Sequence, residues 1–345
     1  MRRRGHDVRI ASPRQAPIFA EAERFGIPVL ALPIRRAGAL GLLALRRVLE
    51  DERIDIVNSH GTADSWLAAL ACRAGWLGKR RPPALVHTRH CLSPAPGGVA
   101  SGWLYARAMA EIVTTGEVIR QELIQATGVS PARVASIPTG IDLERFTPGD
   151  PTQARRALQL PEGVPLVGIV APLRSAKGHR YLVEALTLLP RRDVQLVIVG
   201  DGPERVALLA QVRELGLGPR VRFAGEQQDV APWLRALDVF ALPSYALEGV
   251  PQALLQAMAA GIPCVTTNAG AIGEIAIADT TAVVVAKQNA VALAAGIERL
   301  LDQPPLRARL TWAASERARS KFGIDAMLDA MEAVLRRAAD GNRYR

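Results

Sequence analysis

Short runs of apolar, largely β-branched residues alternate along this chain with longer stretches rich in Ala and Leu. In the first half the short runs predict strands near Asp7–Ala11, Pro28–Leu32, Ile54–Asn58, Ala84–Thr88, Glu111–Thr115 and Val134–Ile137. In the second half they predict strands near Leu166–Ala171, Gln195–Val199, Val221–Phe223, Val239–Leu242, Cys264–Thr267 and Ala282–Val285. Strands that alternate with helical stretches are the pattern of an α/β chain built on parallel sheets. Two separate sets of strands predict two doubly wound domains rather than one barrel, which the pattern alone leaves open. Between the sets lies Pro138–Pro151, PTGIDLERFTPGDP, which is rich in Pro, Gly and Asp and lacks periodicity. It reads as a linker. No fixed-period repeat or low-complexity tract interrupts the alternation.

Length agrees with this division, since 345 residues exceed one ordinary core. No apolar run approaches the ~18 residues of a membrane span. No apolar segment follows the basic N-terminus, so the reading includes no signal peptide. Three scattered cysteines, Cys72, Cys91 and Cys264, make neither a metal site nor a disulfide framework and fit a reducing, cytoplasmic setting. The net charge of +10 is the unusual quantity. Nucleic acid is disfavoured as its cause, because no recognised module is present and aromatics are only 4%. An anionic membrane surface or a lipid-linked acceptor is a second cause, and a compositional preference for Arg over Lys is a third.

Candidate chemistry concentrates in the second half. Pro243–Gly261, PSYALEGVPQALLQAMAAG, sets Glu248 in a loop just before Gly249 and Pro251. Leu254, Leu255 and Met258 then take helical spacing. A helix start leaves backbone N–H groups free and points its positive dipole end at the loop, which suits a phosphate. A carboxylate beside it suits sugar hydroxyls. Ala171–Gly178, APLRSAKG, joins a predicted strand to a predicted helix at the sheet end where α/β proteins bind ligands. Arg174 and Lys177 there would stabilise a leaving diphosphate without a metal. Taken singly, either cation reads as an ordinary surface charge; the strand–loop–helix setting and the Glu248 segment tip the balance.

The first half offers His60 and His90 at strand C-termini. A satisfied core histidine is the plainer reading for His60, and for His90 the two readings balance. His87 and His90 form HxxH, but strand alternation sends them to opposite faces, against a shared metal. His179 reads as a cap or brace for the Lys177 loop. VGDGP at Val199–Pro203 lacks the third glycine of a dinucleotide fingerprint. WLAALACRAGWLGKRR, at Trp66–Arg81, reads as a core helix with a basic loop, or as an interfacial segment anchored by Trp66 and Trp76. Trp103 and Tyr105 are placed in a Gly/Pro-rich loop.

These segments resemble the retaining GT-B glycosyltransferases of family 4. The donor-site signature of that family, EGxPxxLLEAMAxG, matches from Glu248 onward, with Gln256 in place of its second Glu. Lys177-Gly178 matches a GRLxxxKG loop in which Pro172 stands at the Arg position and Arg174 is the proposed stand-in. VGDGP and Val221–Gly225, VRFAG, match a structural turn and a turn whose backbone reads the base. Gly140, Ile141, Asp142, Phe146 and Pro148 match the segment between the family's domains.

The resemblance runs from about Arg4 to about Ala338. It implies two Rossmann-like domains facing across a cleft: residues 1–147 on the acceptor side, 148–323 binding the donor, and 324–345 as a final helix, near Ile324–Arg337, returning to the first domain. A strand and Gly-rich loop normally precede the segment at Gly5–Val8. The chain is therefore expected to be truncated, misassigned at its start or divergent there, with a sheet short of a central member. The implied reaction transfers a sugar from a nucleotide-diphosphate-sugar to a hydroxyl of a glycan or lipid-linked acceptor, with retention and no metal or cofactor. Arg174 and Lys177 would hold the diphosphate, Gly249 and Val250 amides would contact phosphate, and Glu248 would orient the sugar. Gln256 would meet ribose, Gly225 the base, and His90 the sugar near the reacting centre, with His60, Trp103 and Tyr105 on the acceptor side. A cell-envelope or lipopolysaccharide-type role on the inner face of the plasma membrane is the implied setting. A nucleotide-sugar epimerase of the same architecture and a non-catalytic nucleotide-sugar-binding protein are the alternatives.

Overall fold

The computed structural model describes residues 1–34, 38–73, 81–90, 98–246 and 248–343. They divide into two compact units, Met1–Ile137 with Leu328–Arg345, and Pro138–Met327.

The second unit is a parallel six-stranded sheet. To keep one numbering along the chain, its strands are β7–β12: β7 Leu166–Val170, β8 Gln195–Val199, β9 Val221–Gly225, β10 Val239–Leu242, β11 Cys264–Thr266 and β12 Val283–Val284. Their spatial order is β12-β11-β10-β7-β8-β9. Continuous apolar runs such as LVGIV in β7 and VFAL in β10 bury both faces under flanking helices, the usual condition of a parallel strand. Chain order reverses between β7 and β10. There the loops leaving neighbouring strands turn in opposite directions and open a crevice at the strands' carboxyl ends.

The first unit carries β1 Ile10–Ser12 and β2 Val29–Ala31 as a parallel pair. β3 Ile56–Ser59, β4 Ala84–Arg89, β5 Glu111–Thr114 and β6 Val134–Ser136 form a separate four-stranded parallel sheet. Among the described residues the six strands therefore make two sheets, and β1 and β3 have one strand neighbour each. β4 is buried along its whole length and is the spine of this unit.

The division at Ile137/Pro138 lies earlier in the chain than residue 147. Pro138–Pro151 is not a free linker because its apolar side chains join the second core: Ile141 and Phe146 are buried there. The Ile141 amide donates to the Phe322 carbonyl at 2.9 Å, and the Ile324 amide donates to the Ile141 carbonyl at 3.0 Å. The last helix spans Ile324–Arg343, and from Leu328 onward it belongs with the first unit. Arg4 pairs with Asp329 at 2.6 Å and Arg337 with Glu111 at 3.5 Å, while Val334 and Ala338 are buried.

Candidate functional site

In the second unit the loop Ala171–Gly178 leaves β7 at the reversal point. Gly178, with φ of +74°, presses against the backbone after β10; a Cβ there would stand 2.1 Å from the Pro243 carbonyl oxygen. Gly200 is equally constrained, since a Cβ would meet the Ala171 carbonyl at 2.1 Å. The Leu173 amide donates to the Asp201 carbonyl at 2.9 Å and the Glu204 amide to the Leu173 carbonyl at 3.0 Å. VGDGP is thus the buttress of the Lys177 loop.

Glu248 is buried, with 4% of its surface exposed. Its Oε1 accepts from Lys177 Nζ at 2.6 Å and from the Ser244 hydroxyl. Its backbone carbonyl accepts from the Ala271 amide at 3.1 Å. A buried carboxylate is tolerable only when paired and hydrogen-bonded, and Glu248 is both. Its Oε2 has no partner among the described residues. Seventy-one positions of sequence separate Lys177 and Glu248, and the reversal between β7 and β10 brings them together.

The helix Gln252–Ala259 follows at once, with Pro251 as an extended N-cap and no side-chain cap. Its first internal bond runs from the Leu255 amide to the Pro251 carbonyl at 3.3 Å. The amides of Gly249, Val250, Gln252 and Ala253 have no acceptor among the described residues. Uncapped amides at the positive end of a helix are a ready anion site. Gln252 and Ala253 border a cavity of about 590 Å³ lined also by Lys177, Gly200, Asp201, Glu226, Gln227 and Gln256, among others. That volume suits a nucleotide-sized ligand. The Gln256 side-chain amide lines the cavity and makes no hydrogen bond among the described residues. Gly225, with φ of +70°, ends β9 and accepts from the Gly200 amide at 2.8 Å, so that its turn delivers Glu226 and Gln227 to the wall.

The Arg174 carbonyl accepts from the Lys177 amide at 3.0 Å, but the Arg174 side chain takes no part in the Lys177–Glu248 pair. It is exposed, it does not line the cavity, and its guanidinium has no partner among the described residues. His179 opens the helix His179–Leu188 with 2% of its surface exposed. Its ring faces the Ala171 carbonyl, yet neither nitrogen reaches hydrogen-bonding geometry. It fills space beneath the loop instead of capping it. Burial, aided by the nearby Lys177 charge, pushes its pKa down to about 4.

In the first unit His60 Nδ1 and His90 Nε2 lie 2.9 Å apart with the ring planes 13° from parallel. His60 is therefore a surface partner of His90, not a core histidine, because each ring leaves its strand end towards solvent. Local crowding lowers the pKa of both, and Asp64 opposes the shift at His60. His87 points the other way. It is buried against the Ser65 hydroxyl at 3.0 Å and the Ser59 hydroxyl at 3.3 Å, and burial depresses its pKa to about 4. Trp103 and Tyr105 are not in a loop. Trp103 ends the helix Val99–Trp103 and stacks on Trp66 with centroids 6.0 Å apart; Tyr105 lies in the π-helical turn Leu104–Ala108. Tyr105 is fully buried at 0% exposure, because that turn packs it under β4 beside His87, so it cannot line an acceptor path. Trp66 is half-buried and packs against the same core. Trp76, Lys79 and Cys91 fall outside the described residues.

Two features of the site escaped sequence reasoning. Ser244 shares the Glu248 carboxylate, and only its place just after the strand-ending Pro243 hinted at this. Glu226 and Gln227 line the cavity, for which their position directly after the Gly225 turn was the available signal.

Residues 150–317 match the family model described as Glycosyl transferases group 1, and residues 1–145 match that described as Glycosyltransferase Family 4. The D-inositol 3-phosphate glycosyltransferase of Xylanimonas cellulosilytica is 32% identical over 318 residues, covering 83% of this chain and 73% of the relative. Among solved structures, a glycosyltransferase from Rickettsia africae superposes with a TM-score of 0.85 at 20% identity, covering 98% of this chain and 91% of that one. Anabaena HepE in complex with UDP and glucose superposes with a TM-score of 0.83 at 22% identity, covering 95% and 91%. Two parallel-sheet units, a paired lysine and glutamate at a sheet reversal, and both family models agree: the chain belongs to the family 4, group 1 glycosyltransferases of GT-B fold.

Proposed function

We propose that this glycosyltransferase takes its sugar from a nucleotide-diphosphate donor and passes it to a hydroxyl acceptor with retention at the anomeric carbon. The observation that carries the reading is the buried Lys177–Glu248 pair beside the unpaired amides of Gly249 and Val250. Those amides and Lys177 receive the diphosphate, with Arg174 as a second cation at the loop. Glu248 keeps Oε1 on Lys177 and Ser244 and offers Oε2 to a sugar hydroxyl. Gln256 and the Gly225 turn meet the nucleoside.

In the step itself the acceptor oxygen bonds to the anomeric carbon on the face that the diphosphate leaves. The carbon–oxygen bond to phosphate breaks, and the acceptor proton passes to a phosphate oxygen. Fixed positive charge stabilises the departing diphosphate, so the scheme needs no metal. The acceptor is a glycan or lipid-linked hydroxyl in envelope or lipopolysaccharide-type synthesis, reached at the inner membrane face through the Arg-rich surface. The names of the curated relatives add inositol phosphate to the acceptors worth assaying. No described helix is long and apolar enough to cross a membrane; sedimentation with anionic but not neutral vesicles would check attachment through the Arg-rich surface.

Acceptor-dependent release of nucleoside diphosphate tests the reading in Glu248→Ala and Lys177→Ala. Each should lose on the order of a hundredfold or more in transfer, the scale of removing one charge-stabilising group. Near-normal transfer by both variants would sink the assignment.

A further inference from the structure

Resting on the nucleotide-sugar reading above, we infer that Glu226 selects the base and that the donor is a guanosine-diphosphate sugar. The topology orients the ligand. The anion site lies at the reversal between β7 and β10, at the start of the helix Gln252–Ala259. From there the cavity extends over the carboxyl ends of β8 and β9, lined by Gly200, Asp201, Glu226 and Gln227. Two strand spacings of about 4.8 Å separate β7 from β9, the reach of a nucleoside beyond its diphosphate. The base therefore arrives at the turn after Gly225.

That end of the cavity presents acceptors. Glu226 is exposed and makes no hydrogen bond or ion pair among the described residues. Gln227 commits its Nε2 to the Ala224 carbonyl at 2.7 Å, which leaves Oε1 as its freer group. Asp201 is already engaged by the Gly202 amide at 2.7 Å and by Arg205 at 3.6 Å. Arg205 does not line the cavity; it pairs with Asp201 and lies over the Phe223 ring. Among the described residues at that end of the cavity, Glu226 is thus the carboxylate left without a partner, and it is acceptor-only.

Guanine is the base whose pairing edge places two donors side by side, N1–H and the 2-amino group. A carboxylate takes both at once, as it takes the paired N–H groups of arginine. Uracil presents a single N–H between two carbonyl oxygens, which a carboxylate repels. Cytosine and adenine each present one amino group beside a bare ring nitrogen. Guanine alone satisfies both oxygens of Glu226 without an opposed acceptor.

The test is calorimetric binding of GDP, IDP, UDP, ADP and CDP to the full chain and to Glu226→Gln. IDP differs from GDP only in lacking the 2-amino group, so it isolates the second hydrogen bond. Wild-type chain should bind GDP on the order of tenfold more tightly than IDP and the other three, the scale of one good bidentate base contact. In Glu226→Gln, GDP should fall to the level of IDP, while UDP is unchanged or improved. UDP preferred by both proteins, or a GDP–IDP difference that survives the substitution, overturns the base assignment and leaves the nucleotide-sugar site standing. Failure of every nucleotide to bind the folded wild-type chain overturns the nucleotide-sugar reading and this inference with it.

Discussion

His179 makes the stability of this protein dependent on acid in a way that can be measured one residue at a time. Its ring is buried with both nitrogens unpaired, and its pKa falls from 6.5 in the open chain to about 4 in the fold. Between those values the unfolded chain holds a proton that the folded chain refuses. Stability contributed by the neutral ring is therefore complete above pH 6.5 and drains away as the pH falls towards 4. At pH 7.5 the effect is negligible; at pH 5.0 protonation of the unfolded chain costs the fold about 2 kcal/mol from this residue. His179→Leu keeps an apolar body of similar size and removes the titration. Urea unfolding at pH 7.5 and pH 5.0, followed by hydrogen exchange of the amides in Leu166–Val170 and His179–Leu188, reports on the second unit specifically. The wild type should lose about 2 kcal/mol more than the variant across this interval. Equal losses would show that the ring finds a partner on protonation, and the account of an unpaired imidazole would fail.

Other substitutions address the site and its supports. Arg155→Met removes a buried guanidinium that contacts the partly exposed Asp238 at 2.7 Å and the Ala236 carbonyl at 2.8 Å; a loss of about 1–3 kcal/mol in chemical denaturation is expected. Tyr105→Phe removes a buried hydroxyl that has no partner, so stability should hold or rise by up to about 2 kcal/mol with transfer unchanged; a selective loss of acceptor affinity would restore Tyr105 to an acceptor role. Gln256→Glu places a carboxylate in the cavity wall, and nucleotide binding measured by calorimetry should hold or tighten; abolished binding would remove Gln256 from the ribose site.

Local pattern carried most of the fold. Each expected strand is present within a few residues of its place, because parallel strands buried on both faces are written as uninterrupted apolar runs such as Leu166–Val170 and Gln195–Val199. The expectation of a first sheet short of a central member came from the resemblance and not from the strands themselves, since strand neighbours are set by tertiary packing rather than by the residues within each strand. Glu248 and Lys177 were legible as a loop carboxylate and a loop cation, but their 2.6 Å contact was not, since it depends on how two distant loops meet. Tyr105 shows the converse. Gly and Pro nearby made a loop the natural reading, while the apolar residues from Leu104 to Met109 were being drawn into the core. Periodicity is weak evidence there because a five-residue helix running into a π-turn has too few positions to display a face.

The last helix imposes an order on biosynthesis. The second unit begins and ends at adjacent points, where Ile141 bridges Gly323, and it occupies one unbroken stretch of chain. It can close as soon as Met327 has left the ribosome. The first unit cannot, because Arg4, His6 and Glu111 find Asp329, Glu332 and Arg337 only after everything between has been translated. At elongation rates of about 5–20 residues per second the earliest segment waits on the order of ten seconds or more for its last helix. During that interval the surface later covered by Val334 and Ala338 stays open to water and chaperones, so a ribosome that stalls late releases one finished half and one that is not.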